Sequence, residues 1–144
     1  MKVSIIVSVY NKRRYIDQAL RSAIGQTYRD IEVIVVDDGS TDGSLEVIRR
    51  VAATDRRLGV ITQANAGAAA ARNRGIDTAQ GEFVNLFNGD DLLYSHFVEE
   101  TAGFLQRNID VDVAHTSWDR IDGQGRKIGD AGVASISKAH LTVS

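Results

Sequence analysis

The run Glu82-Phe-Val-Asn-Leu-Phe-Asn-Gly-Asp-Asp-Leu-Leu93 drives a mostly apolar segment into a glycine and then into two adjacent carboxylates, Asp90 and Asp91. Two like charges at the end of a buried strand are costly unless a cation sits beside them. A divalent metal that in turn holds a phosphate is a common reason to keep such a pair. An earlier run, Val36-Asp-Asp-Gly-Ser-Thr-Asp42, closes another apolar segment in the same way. Two acidic strand ends in one chain point to a metal-assisted nucleotide site.

Such ends need strands and helices to aim them. Lys2 to Val9, Ile31 to Val36, Leu58 to Thr62, Phe83 to Phe87 and Val111 to Thr116 are short, apolar and rich in β-branched residues, which predicts five strands. Between them, Ile16, Ala19, Leu20, Ala23 and Ile24 follow the spacing of one buried helix face, predicting a helix from about Arg13 to Gln26. Thr41-Asp42 can cap a second helix running to about Ala53. A small-residue helix follows from about Asn65 to Ala79, and a fourth from Ser95 to Arg107. Asp-Gly within Ile121 to Ile128 signals a hairpin. Alternating β and α elements favour an α/β fold: a three-layer α/β/α arrangement with a mainly parallel sheet. Ligands of such sheets bind at the carboxyl ends of strands. Tyr10-Asn11, Asp37-Asp38 and Asn88 to Asp91 all lie at such ends, so three distant motifs converge on one crevice.

The 144 residues make one domain's worth of chain, residues 1–144, with a repeated βα core over 1–116 and a hairpin and tail over 117–144. A formal charge of -2 gives no support for nucleic-acid binding, which calls for a basic excess. Cysteine is absent, which excludes disulfides and thiolate metal sites and fits a reducing compartment. Residues 3 to 9 are too few for a membrane span, so a cytoplasmic location is expected. No GxGxxG or Walker pattern is present, which argues against an ordinary dinucleotide or P-loop site. Proline is absent too, where average usage predicts roughly seven.

Taken together, Val3-Ser-Ile-Ile-Val-Ser-Val-Tyr-Asn11, Gln26-Thr-Tyr28, Ile31-Glu-Val-Ile-Val-Val-Asp-Asp-Gly-Ser-Thr-Asp42, Asn65-Ala-Gly67, Ala71-Arg-Asn-Arg-Gly75 and Gly81-Glu-Phe83 resemble family 2 glycosyltransferases. The resemblance runs in order from about Lys2 to Ile128. It implies a GT-A fold and inverting transfer from a nucleoside-diphosphate sugar, aided by Mg²⁺ or Mn²⁺, to a glycan, lipid-linked or other hydroxyl acceptor. Cell-wall or polysaccharide biosynthesis is the implied setting. Ser8 and Tyr10 would frame the base, with Asn11 beside them, and Asp38 would accept from a ring N–H, most often of uracil. Gly67 would let the backbone approach the sugar nucleotide, and Arg72 would face the diphosphate, where a guanidinium suits phosphate oxygens. Asn88-Gly-Asp-Asp91 falls where the family carries its metal motif, which assigns the metal to Asp90 or Asp91 and nucleotide contacts to Asn88 and Asp90.

Each of these residues also has a plainer reading. Tyr10 can be a partly buried strand-end aromatic, and the Asp37-Asp38 pair can serve a turn. Asp90 or Asp91 can cap the next helix, Gly67 can simply open a helix, and Arg72 or Arg74 can lie on a solvated face. The cluster Lys12-Arg13-Arg14 reads as a solvated helix start, and His96, His115 and His140 have no metal-binding spacing.

The chain departs from the family pattern in several places. The first Asp of the metal motif is Asn88, which keeps a carbonyl oxygen but loses the charge. Family proline positions fall on Ser8, Arg56 and Ser95. Asn85 is polar inside an apolar strand, where it either lines the crevice or faces a satisfied edge. The family's general base follows the acceptor-binding segment, and Asp119, Asp122 and Asp130 come too early to match it; Asp119, beside Trp118, could at most approach the acceptor side. The catalytic base is therefore unassigned, and transfer by this chain alone is expected to be feeble or absent. The alternatives to an enzyme are a nucleotide-binding module without turnover and a scaffold that only keeps the fold. An exposed apolar surface is expected to drive self-association.

Overall fold

The computed structural model describes residues 1–131. The tail from residue 132 and His140 lie outside the described residues. Two compact units are formed, Met1–His96 and a second that begins at Phe97.

The first unit is a four-stranded parallel sheet of β1 (Val3–Val9), β2 (Ile31–Asp37), β3 (Leu58–Thr62) and β4 (Phe83–Asn88), in the order β3-β2-β1-β4. It carries the helices α1 (Ile16–Ile24), α2 (Ser44–Ala52) and α3 (Ala68–Thr78). The central strands are buried on both faces: Ile5, Ile6, Val7, Val33, Val35 and Val36 have no exposed surface. That accounts for their continuous apolar runs. The registers Ser8↔Val36, Val9↔Asp37 and Ser8↔Asn88 align the carboxyl ends of β1, β2 and β4.

Crossovers from β1 to β2 to β3 run one way along the sheet, whereas the crossover to β4 returns past β1. Right-handed connections therefore put α1 and α2 on one face and α3 on the other. The three-layer α/β arrangement expected from the sequence is the one observed. The reversal also creates a topological switch point between β1 and β4, where a crevice opens at the strand ends.

The small residues of α3 let it lie close to the sheet. Ala71 packs in a cluster with Ile34 and Val36. At Gly75 an added Cβ would collide with Ile6 Cγ2, so no side chain fits. This close approach positions the first turn of α3 over the switch point.

Helix boundaries differ from the expected ones for local reasons. α1 starts at Ile16 rather than Arg13, and the N–H groups of Lys12 and Arg13 ahead of it are held by Ser44 Oγ and Asp42 Oδ2. The chain turns there, with Lys12 C=O accepting from Tyr15 and Ile16. Thr41 does not cap α2; Asp42 Oδ1 accepts the Ser44 N–H at 2.9 Å while Gly43 provides the left-handed residue.

In the second unit, α4 (Phe97–Arg107) is followed by an antiparallel hairpin of β5 (Trp118–Ile121) and β6 (Lys127–Ala131). The hairpin matches the Asp-Gly signal. The strand expected over Val111 to Thr116 is absent. Of its apolar residues Val111 is buried but Val113 is 45% exposed, and the segment pairs with none of the described strands. Hydrophobic alternation alone does not make a strand without a partner. Asp119 is ion-paired with Lys127 within this hairpin.

Candidate functional site

The ends of β1 and β2 are zipped together before any ligand is considered. Asp38 N–H donates to Val9 C=O, Asn11 N–H to Ser40 Oγ, and Thr41 N–H to Asn11 Oδ1. Asn11 adopts a positive φ of 53°, a conformation that Asn tolerates better than most residues. These bonds hold Tyr10 and Lys12 at the mouth of the crevice.

Asp38 builds the opposite wall. Its side chain is buried, and its two oxygens accept from Gln63 Nε2 at 2.8 Å, Ala66 N–H at 2.9 Å and Gly67 N–H at 2.8 Å. Burial pushes the Asp38 carboxyl upward, but the Ala66 N–H, the Gln63 amide and the Gly67 N–H outweigh it and hold the group below its usual value. It stays ionised and pins the loop that leads into α3. Gly67 takes φ 90° and ψ 159°, a region essentially reserved for glycine, while a Cβ there would meet no neighbour. Backbone conformation, not space, demands the glycine. The adjacent Asp37 is equally buried but faces the α1/α2 side; Oδ2 accepts from Ser40 N–H at 3.2 Å and Oδ1 has no protein partner.

The floor and far side come from the acidic turn. Asn88 Oδ1 accepts from Arg72 Nη2 at 2.9 Å, and Asn88 Nδ2 donates to Asp91 Oδ2 at 2.9 Å. An amide has both an acceptor and a donor, so it bridges a guanidinium and a carboxylate. A carboxylate at position 88 would meet Asp91 with like charge. Asp90 instead faces Lys12, whose Nζ lies 2.6 Å from its Oδ2. Downstream, Leu93 N–H donates to Ser22 Oγ, and the buried Gln26 amide donates to Ser22 C=O and Tyr94 C=O. Thr27 N–H adds a bond to Ser95 C=O. The Gln26-Thr27 segment thus anchors the acidic turn to the end of α1.

The result is one cavity of about 520 Å³ lined by Ser8, Val9, Tyr10, Lys12, Asp38, Asn65, Gly67, Ala68, Ala71, Arg72, Asn88 and Asp90. Seven of the nine residues singled out from the sequence lie on it: Ser8, Tyr10, Asp38, Gly67, Arg72, Asn88 and Asp90. Asn11 and Asp91 do not line it; the first holds the Ser40-Thr41 turn and the second accepts from Asn88. Asn85 does not line the cavity: it lies on the other face of β4 from Asn88, and its buried Oδ1 has no hydrogen-bond partner. Lys12 escapes sequence reasoning because it sits in a basic run. Its position directly after the Tyr10-Asn11 strand end is the available signal.

Among the described residues no cluster of three or more His, Asp or Glu surrounds a point in space. The donors at hand are hard oxygens, with Asp90 on the cavity and Asp91 adjacent. Such a set suits Mg²⁺ or Mn²⁺ bound by one or two carboxylates and completed by phosphate oxygens and water.

A family profile, Glycosyl transferase family 2, matches residues 4–136. The chain belongs to this family. It is 37% identical over 127 residues to an uncharacterized glycosyltransferase of Haemophilus influenzae, covering 88% of this chain and 50% of that protein. Among solved structures, S. aureus TarS 1-349 in complex with UDP-GlcNAc aligns with a TM-score of 0.70 at 33% identity, over 76% of this chain and 32% of that one. A mannosyltransferase from Pyrobaculum calidifontis in complex with GDP-Man and Mn²⁺ aligns at 0.69 and 30% identity, over 76% and 33%. The chain therefore spans half the length of the Haemophilus relative and a third of these two structures. No described helix is long and apolar enough to cross a membrane.

Proposed function

We propose that this chain is the donor-binding part of an inverting glycosyltransferase. It would hold a nucleoside-diphosphate sugar, UDP-linked by preference, together with Mg²⁺ or Mn²⁺. The sugar would pass to a hydroxyl of a glycan, lipid-linked or other acceptor. The observation that carries this reading is the convergence of Ser8, Tyr10, Asp38, Gly67, Arg72, Asn88 and Asp90 on one cavity at the switch point. The UDP-GlcNAc and GDP-Man complexes of the aligned structures support the substrate class.

The geometry supports a role for each of these residues. Tyr10, 47% exposed at the mouth, offers a ring face for a base. Asp38 has accepted three hydrogen bonds, and a carboxylate has about four acceptor sites, so one remains for a ring N–H. Arg72 spends one nitrogen on Asn88 and keeps other donors for phosphate oxygens. The Gly67 N–H is taken by Asp38, but α3 begins at the cavity with Ala68, and the N–H groups and dipole of a helix start favour an anion. Asp90 supplies the oxygen ligand for the cation. A bound Mg²⁺ or Mn²⁺ would neutralise charge on the departing diphosphate. These groups are fixed before the donor arrives, which is how preorganised electrostatics lowers a barrier.

The test is calorimetric titration of UDP with Mn²⁺ present and then chelated, against the wild-type chain and Asp90→Ala. Saturable binding that weakens on chelation and in the variant is expected. No heat with UDP, GDP or dTDP would overturn the reading.

A further inference from the structure

Lys12 is the feature of the cavity that the donor-binding roles leave without a task. Its backbone is fixed, with N–H on Ser44 Oγ at 2.8 Å and C=O accepting from Tyr15 and Ile16. The side chain starts from that anchored point and sets its ammonium 2.6 Å from Asp90 Oδ2, with both side chains 37% exposed. The other two members of the basic run go elsewhere. Arg13 donates to Asp42 C=O, and Arg14 lies 5.6 Å over the Tyr15 ring. Asp90 therefore already holds a cation, at the position where the donor reading needs a metal. An ammonium is a compact point charge, the side-chain group closest in kind to a small metal ion.

We propose that Lys12 is an intramolecular counter-ion that competes with the divalent metal for Asp90, so that metal enters only by displacing it. The inference rests on the reading of Asp90 as a metal ligand. With Lys12 seated, the neighbouring Asp90 and Asp91 carboxylates are partly neutralised and the free chain has little hold on a bare metal ion. A metal arriving with a diphosphate brings its own anion, which gives the displaced ammonium a new partner in the same cavity. The chain would thereby favour the metal–nucleotide complex over the metal alone. A half-exposed ion pair of this kind should suppress bare-metal affinity by about two- to five-fold.

The experiment is a titration of Mn²⁺ into the whole chain without nucleotide, following free Mn²⁺ by electron paramagnetic resonance. It compares wild type, Lys12→Gln, Arg14→Gln, Asp90→Asn and the Lys12→Gln/Asp90→Asn pair. Lys12→Gln should bind Mn²⁺ about two- to five-fold more tightly than wild type. Arg14→Gln removes the same charge two residues away and should gain clearly less. In the Asp90→Asn background the Lys12 substitution should gain nothing. The proposal is overturned if Lys12→Gln binds Mn²⁺ no better than wild type or not at all. It is equally overturned if Arg14→Gln matches its gain, or if the gain survives Asp90→Asn. Because nucleotide is omitted, failure here is distinguishable from failure of the donor reading, which the UDP titration decides separately.

Discussion

Asp37 and Asp38 are adjacent, each 2% exposed, and of identical chemistry, yet the structure predicts opposite responses to the same substitution. In Asp38→Asn the better amide orientation keeps the oxygen on Gln63 and Ala66, which share Oδ1. The amide nitrogen then faces the Gly67 N–H that donates to Oδ2 in the native chain, so two donors confront each other in a buried space. Losing a hydrogen bond to a charged group costs about 1.5–3 kcal/mol and stranding a buried donor about 1–3, terms that overlap. A destabilisation of about 2–4 kcal/mol is expected. In Asp37→Asn the oxygen keeps the Ser40 bond and the nitrogen replaces Oδ1, which has no protein partner to lose. The new amide N–H groups there find no acceptor, a cost that loss of the buried charge offsets, so the change should stay within about 1 kcal/mol of wild type. Urea unfolding followed by circular dichroism, with midpoints compared at a common slope, reads both values. Equal losses, or a larger loss at Asp37, would refute the assignment of Asp38 as the carboxylate that pins the Gln63–Gly67 loop.

The Asp55 carboxyl is lowered from 3.8 to about 2, chiefly by the Arg57 side chain and N–H. A depressed pKa stabilises the fold above 3.8 and loses that contribution as pH falls toward 2. We expect the advantage of wild type over Asp55→Asn, up to roughly 2 kcal/mol at neutral pH, to fall by about half at pH 3 in urea titrations. A pH-independent difference would contradict it. Gly75→Ala should lower the melting temperature, because the added Cβ collides with Ile6 Cγ2 and forces repacking of about 1–3 kcal/mol, more than the roughly 1 kcal/mol gained in helix propensity. An unchanged or raised melting temperature would show that α3 can lift away from the sheet.

The parallel sheet is legible in the sequence because its central strands are apolar on both faces, which a strand with one solvated face would not be. The convergence of Ser8, Tyr10, Asp38 and Asn88 follows from that sheet, since strand ends in such folds share one edge. Sequence periodicity places the starts of α1, α3 and α4 two or three residues early, since it shows which face is buried and not the contacts at the entry, such as those of Ser44 and Asp42 with Lys12 and Arg13. Val111 to Thr116 carries a strand pattern without a strand, because pairing is a property of two segments and a single segment shows only half of it. Lys12 is hidden for a related reason. A basic run looks solvated in sequence, and only the fold shows that one of its three side chains turns inward to Asp90.

Mapping UDP onto the isotope-labelled chain by amide chemical shifts, with Mg²⁺ present, tests the placement of the donor most directly. Binding at the switch point predicts saturable shifts concentrated at Ser8 to Lys12, Asp38, Asn65 to Arg72 and Asn88 to Asp90, with the β3 edge unmoved. Shifts confined to other surfaces, or none at millimolar UDP, would contradict the account.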